Sequence, residues 1–152
     1  MNEMLELRRT TSENLDFIEL VKHLDAYLTI TDGEDHAFYD QYNGIDVLTH
    51  VIVAYDGESA VGCGAMKQFD NQSMEVKRMY TPPEYRGKGI AREILSSLED
   101  WAKEQGYSKC ILETGKRQIE AVAFYPKCGY QEIPNFGQYE GIENSVCFEK
   151  QL

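Results

Sequence analysis

The chain has no C-x-x-C pair, no grouped histidines and no apolar run that could cross a bilayer. Cys63, Cys110, Cys128 and Cys147 stand far apart. Neither a zinc ribbon nor a dithiol redox motif is written into it, and buried, reduced thiols are the expected state. His23, His36 and His50 share no ligand spacing, so no metal is expected. No stretch approaches the ~18 apolar residues of a spanning helix, and the first residues lack a signal-peptide core. A cytoplasmic location and no membrane partner are therefore expected. Positive charge is scarce: 15 Lys and Arg against 26 Asp and Glu leave a net charge of −11. That sign repels nucleic acid and anionic lipid and leans toward a cationic acceptor such as an amine. Repeats, low-complexity tracts and linkers are missing as well. With 42% hydrophobic and 27% charged residues, 152 residues fit one globular domain spanning 1–152.

What is there concentrates in residues 75–92. Residues 75–80 read as an extended segment, and Pro82 and Pro83 stop it because neither can donate to a ladder. Arg86-Gly87-Lys88-Gly89-Ile90-Ala91 follows, directly before an amphipathic run. Small residues let the backbone approach a ligand closely, and the first turn of a helix presents unpaired N–H groups of partial positive charge. Such a place suits a phosphate or pyrophosphate, with Arg86, Lys88 and Arg92 adding charge. It is not the phosphate loop of NTPases, which needs Gly-x-x-x-x-Gly-Lys-Ser/Thr. It is not a dinucleotide fingerprint either, because Arg92 stands where the third glycine would be.

In chain order, residues 4–9 read as a first strand. Thr10 with Glu13 forms a capping box for a helix carrying Leu15, Ile18, Leu20, Val21 and Leu24 through about Leu28. Asp32-Gly33-Glu34-Asp35 breaks it. A short helix over 36–42 groups Phe38, Tyr39 and Tyr42, which at that spacing read as a packing face, and Asn43-Gly44 ends it. Strands are expected over 48–55 and 59–69, joined by Asp56-Gly57. Gly62 and Gly64 permit a bulge or a close approach. With the strand that opens at Glu75 they form an antiparallel meander. A helix over 89–105 stops at Gly106. Then come a buried strand over 109–113, a helix from 117 to about 127, a strand over 129–133, a long loop and a last strand over 145–150. The fold class is α/β: a mixed, mostly antiparallel sheet of six to seven strands with helices on both faces.

Arg86-x-x-Gly89-x-Ala91 resembles the Gln/Arg-x-x-Gly-x-Gly/Ala signature of the GNAT superfamily of N-acetyltransferases. The resemblance continues through Leu112-Glu-Thr-Gly115, Gln118-Ile-Glu-Ala121 and Ala123-Phe-Tyr125-Pro-Lys-Cys-Gly-Tyr130. It ends with Phe136-Gly137-Gln138-Tyr139 and Ser145-Val-Cys147-Phe-Glu-Lys150. It implies a splay between the fourth and fifth strands that admits acetyl-CoA as acyl donor, and it offers the segment with Phe38, Tyr39 and Tyr42 as roof of the acceptor pocket, the alternative to a packing face. By the same resemblance Met79, Tyr80 and Thr81 hold the pantetheine arm. Arg86, Gly87, Lys88, Gly89, Ile90, Ala91 and Arg92 hold the pyrophosphate, and Gln118, Ala121 and Tyr125 touch the cofactor.

Transfer of an acyl group to an amine needs a proton acceptor, donors for the developing oxyanion and an acid for the leaving thiolate. The resemblance implies Glu75 as base, directly or through water, the Met79 N–H as oxyanion donor and Tyr125 as acid. Each has a plainer alternative: Glu75 as a solvated partner of Lys77, Tyr125 as an aromatic core residue. Tyr130 reads as packing, and Tyr139 is placed near the acceptor. The expected activity is N-acetylation of a small or amino-acid-like amine. A non-catalytic acyl-CoA sensor and a protein N-terminal or lysine acetyltransferase remain alternatives, and the sequence leaves a homodimer open.

Overall fold

The computed structural model describes residues 5–32 and 47–152. The aromatic trio Phe38, Tyr39 and Tyr42 and the short helix expected around it lie outside the described residues. Alternating apolar segments form β1 (Leu5–Thr10), β2 (His50–Asp56), β3 (Ser59–Gln68), β4 (Ser73–Tyr80), β5 (Lys109–Gly115), β6 (Gln131–Ile133) and β7 (Ser145–Gln151). The stretches of helical period form α1 (Leu15–Asp32), α2 (Ile90–Glu104) and α3 (Ile119–Lys127). The strands lie in the order β1-β2-β3-β4-β5-β7-β6. Every neighbouring pair is antiparallel except β4 and β5, which run parallel. A mixed, mostly antiparallel seven-stranded sheet is what the sequence led one to expect.

Period-two alternation gives the sheet two apolar faces. Val51, Val53, Tyr55, Cys63 and Ala65 pack with Phe17 and Leu20 of α1. Ile52, Met66, Met74 and Val76 face the other way, against Ile90, Ile94 and Leu98 of α2 and Tyr125 of α3. Ile94 and Leu98 are wholly buried, and each such side chain contributes roughly 1.5–3 kcal/mol relative to exposure. The close approach expected at Gly62 and Gly64 is real. A Cβ on Gly62 would lie 2.9 Å from Ile94 Cδ1, so α2 can rest on β3 only where β3 has no side chain.

The start of α1 differs from expectation. Thr10 is the last residue of β1, paired with Val51, and does not cap the helix. Asn14 does so instead: its Oδ1 accepts the Phe17 N–H at 2.9 Å, the bond an N-cap side chain makes to the third helical residue. Strand pairing takes up Thr10, Thr11 Oγ1 accepts the Glu13 N–H and Ser12 Oγ accepts the Leu48 N–H, so the cap falls to Asn14.

Two irregularities in β4 shape everything that follows. The strand pairs with β5 only at Ser73↔Lys109, Met74↔Cys110 and Glu75↔Ile111, although β4 runs on to Tyr80 and β5 to Gly115. Beyond Glu75 the two strands part. On its other edge, the register moves from Ala65↔Lys77 to Cys63↔Tyr80, so Arg78 and Met79 share the place of one residue in a β-bulge. Arg78 sits there at φ 60°, in the left-handed region that side chains with a Cβ rarely adopt. As a consequence Glu75, Lys77, Arg78 and Tyr80 come to the α1 face, while Met74, Val76 and Met79 face α2.

Candidate active site

The parting of β4 and β5 opens the sheet, and a cavity lies on each side of the opening. On the α2 side is a cleft of about 410 Å³ lined by Met79, Tyr80, Thr81, Arg86, Gly87, Gly89, Ile90, Ala91, Arg92, Gln118, Ala121 and Tyr125 among others. On the α1 side is a cavity of about 110 Å³ that includes Glu75, Lys77, Arg78, Glu113, Thr114 and Tyr139. Met79, Gln118, Ala121 and Tyr125 line both. Leu24 of α1 is shared as well, so the two cavities adjoin at a common wall to which Tyr125 contributes.

The larger cleft is built from the turn before α2. Gly87 and Gly89 have φ of 78° and 80°, and a Cβ on either would meet nothing within 4 Å. Their backbone faces open space, which only glycine reaches without strain. Gly89 is the residue before α2, and no side chain caps that helix end, so its first N–H groups are available to an anion. Arg86 is fixed by donation from Nε to the Thr81 carbonyl at 2.8 Å, and Arg92 by donation to the Lys127 carbonyl at 3.2 Å. Glu120, 3.9 Å from Arg86 and 85% exposed, is screened by solvent and weakens the positive charge only slightly. This donor set fits a diphosphate. Lys88 is the exception among the expected residues. It is not among the residues that line the cleft, and its Nζ lies 5.9 Å from the ring centroid of Tyr85, which does line it.

Tyr125 is held in α3 with its ring near Phe124, Tyr130 and Phe148. Burial pushes its phenol above the ordinary range, with Cys128 and Glu113 adding to the shift. The hydroxyl is thus kept protonated, the form that an acid must have before it acts. Gln118 is the residue before α3 and reaches both cavities.

Glu75 is not a solvated edge residue. It is 7% exposed and lies 3.9 Å from Lys77, itself as deeply buried. Tyr139 is buried beside it. Its phenol is raised by burial first, then by the negative charges of Glu113 and Glu75. Glu113 accepts a hydrogen bond from Ser145 Oγ at 2.7 Å. Two carboxylates thus face one small cavity from opposite strands. Tyr130, expected to be packing, is buried at the core and donates to Glu99 at 2.8 Å.

Arg78, Glu113 and the α1 residues Leu24 and Leu28 also line the α1-side cavity, and sequence reasoning did not single them out. Arg78 carries one signal in hindsight: two basic residues in succession inside a strand, where alternation would send one of them into the core. Leu24 is visible only as part of an apolar helical stripe.

A family model described as Acetyltransferase (GNAT) family matches residues 13–130. The chain is similar to an IAA acetyltransferase of Azospirillum brasilense, with 34% identity over 137 residues covering 89% of this chain and 90% of that one. In three dimensions it is similar to a Klebsiella pneumoniae protein described as a candidate acyl-CoA N-acyltransferase. That match has a TM-score of 0.82 at 28% identity and covers 99% of each chain. A GNAT acetyltransferase from Elizabethkingia anophelis with acetyl-CoA bound shares the fold at a TM-score of 0.68 and 16% identity, over 99% of both chains. With strands that part beside an uncapped helix, and with that match over most of its length, this chain belongs to the GNAT family of acetyltransferases.

Proposed function

We propose that the protein transfers the acetyl group of acetyl-CoA to the primary amine of a small, amino-acid-like acceptor by direct attack. The observation that carries this reading is that two cavities adjoin where β4 and β5 part. A cleft suited to a diphosphate and an extended arm shares Leu24, Met79, Gln118, Ala121 and Tyr125 with a small polar cavity. A thioester brought along β4 would reach the opening from one side and the amine from the other, which converts a bimolecular encounter into a positioned one.

In this reading the diphosphate lies on the backbone of Gly87, Gly89, Ile90 and Ala91, with Arg86 and Arg92 supplying charge. The pantetheine amides pair with the free edge of β4 at Met79, Tyr80 and Thr81, as an added strand would. The bulge frees Met79 from regular pairing with β3, so its N–H can donate to the oxygen that gains charge during attack. Glu75 takes the proton of the attacking amine, directly or through a water. Tyr125 gives its proton to the departing thiolate, and both roles need a group shielded from bulk water.

The test is release of free thiol from acetyl-CoA across a panel of amines, with Gly89→Glu as the control that fills the diphosphate seat. Thiol release that depends on the amine and is lost in G89E supports the reading. No release with any amine, together with tight acetyl-CoA binding, would establish a sensor instead.

A further inference from the structure

The α1-side cavity is lined by both signs of charge, Glu75 and Glu113 against Lys77 and Arg78. Resting on the function proposed above, we infer that the acceptor carries a carboxylate close to its reactive amine, and that Arg78 is the residue that receives it.

Burying a guanidinium is costly unless it meets an anion of matching shape. The Arg78 side chain is only 8% exposed, and its backbone is held at φ 60° in the bulge. Strain of that kind persists where the surrounding structure requires it. Here it places the guanidinium on the same face as Glu75 and Lys77. Lys77 is engaged by Glu75 at 3.9 Å, so among the described cations of the cavity Arg78 is the better placed to receive a further anion.

The resident partner of Arg78 engages it incompletely. Asp25 of α1 stands 3.1 Å from Nη1 and 3.3 Å from Nη2. Among the described residues, Nη2 alone donates a hydrogen bond; Nη1 is fully buried and makes none. Asp25 is 45% exposed and does not line the cavity. A planar fork whose buried Nη1 has an ion-pair contact with Asp25 but no hydrogen bond among the described residues, beside a small polar cavity, matches a carboxylate entering from the cavity side. The other end of such an acceptor, its ammonium, would face Glu75 and Glu113. An acceptor with both charges also explains why the cavity is not uniformly acidic, although the chain as a whole is.

The experiment uses matched acceptors that differ only in the carboxylate: free α-amino acids, their primary amides and the corresponding decarboxylated amines. Calorimetric titration into coenzyme A-loaded protein reads binding, and thiol release from acetyl-CoA reads turnover on the same compounds. At least one acid should bind tenfold or more tightly than its amide. Arg78→Lys and Arg78→Ala should erase that ratio through the acceptor KM, while kcat and acetyl-CoA affinity change little. Asp25→Asn serves as the second variant. If Arg78 only ties α1 to β4, D25N and R78K will lower the melting temperature alike and leave the acid-to-amide ratio untouched, which overturns the inference. Equal binding of acid and amide by the unaltered protein, or no binding of either, overturns it as well. Selective binding of the acid without thiol release would instead overturn the catalytic reading and leave the carboxylate seat standing.

Discussion

Gly64 of β3 and Met79 of β4 share a space that holds one side chain: a Cβ on Gly64 would lie 2.5 Å from Met79 Sδ. The same Cβ would also stand 2.9 Å from Ile94 Cγ2 and 3.1 Å from Leu98 Cδ1. The thioether end of Met79 can move, but the two α2 side chains behind it are fully buried and have nowhere to go. Gly64→Ala is therefore expected to destabilise the fold by about 1–3 kcal/mol. Because Met79 lies where both cavities meet, acetyl-CoA should also bind more weakly. Urea unfolding and a cofactor titration read the two effects. An unaltered urea midpoint would show that β3 tolerates the methyl, contrary to this packing.

Tyr125→Phe separates the aromatic role of this residue from its hydroxyl. The phenylalanine ring keeps the contacts of about 6 Å with Tyr130 and Phe148, so the fold and the cleft should persist. Loss of a general acid is expected to lower kcat by about 100-fold or more, while the dissociation constant of acetyl-CoA stays within about 2-fold if ring packing carries the contact. Steady-state kinetics with one amine suffices, and an unchanged kcat would remove the acid from the mechanism.

Much of this arrangement was legible in the sequence, for local reasons. Alternation gave β2, β3 and β4; the glycines flanking Lys88 marked the turn before α2; and the apolar stripe through Ile90, Ile94 and Leu98 gave α2 and the face it buries. The misses are tertiary. Thr10 and Asn14 are both good caps, and only the pairing of Thr10 with Val51 decides between them. The successive Lys77 and Arg78 hint that one basic side chain leaves the alternation, but nothing in the sequence says that it does so through a bulge with Arg78 in the left-handed region. Without the bulge, Arg78 would point toward α2, so its place in the cavity could not be read from alternation. Its partner Asp25 is 53 residues away on another element. Lys88 is expected at the diphosphate because of its charge, and it stands near Tyr85, a residue of the cleft, without lining the cleft itself.

Glu99 joins three elements away from the cavities. Its carboxylate accepts from Tyr130 Oη at 2.8 Å and from Lys150 Nζ at 2.9 Å, tying α2 to β7 and to the residue before β6. Glu99→Ala strips a phenol and an ammonium of their partner at once. A loss of about 2–3 kcal/mol is expected, at the lower end for buried pairs because Lys150 is partly exposed. Glu99→Gln keeps an acceptor for Tyr130 and should cost less. Denaturant unfolding of both variants checks the order. If Ala and Gln lose the same stability, the charge and not the hydrogen bond holds these elements together.

The thiols set the alkaline limit of the fold. Burial pushes Cys63 up to about 12, against the pull of the Arg78 guanidinium. Burial, helped by the Glu99 carboxylate, pushes Cys110 up to about 12 as well. In the unfolded chain a thiol titrates near ~8.5. Between roughly pH 8.5 and 12 the unfolded state therefore releases protons that the folded state retains. Unfolding becomes more favourable as pH rises through that window, and the contribution of the buried thiols is intact only below it. Each can steepen the fall by up to about 1.4 kcal/mol per pH unit. Tyr125, Tyr130 and Tyr139, all raised by burial, join above about pH 10. Urea midpoints measured under reductant at pH 8 and pH 10 should differ clearly in the unaltered chain. A Cys63→Ala, Cys110→Ala variant will be less stable at pH 8, because its core loses volume, but its decline toward pH 10 should be shallower. Equal slopes in the two proteins would mean that the folded state lets these thiols ionise, which the full burial of Cys63 on the α1 face and of Cys110 on the α2 face does not allow.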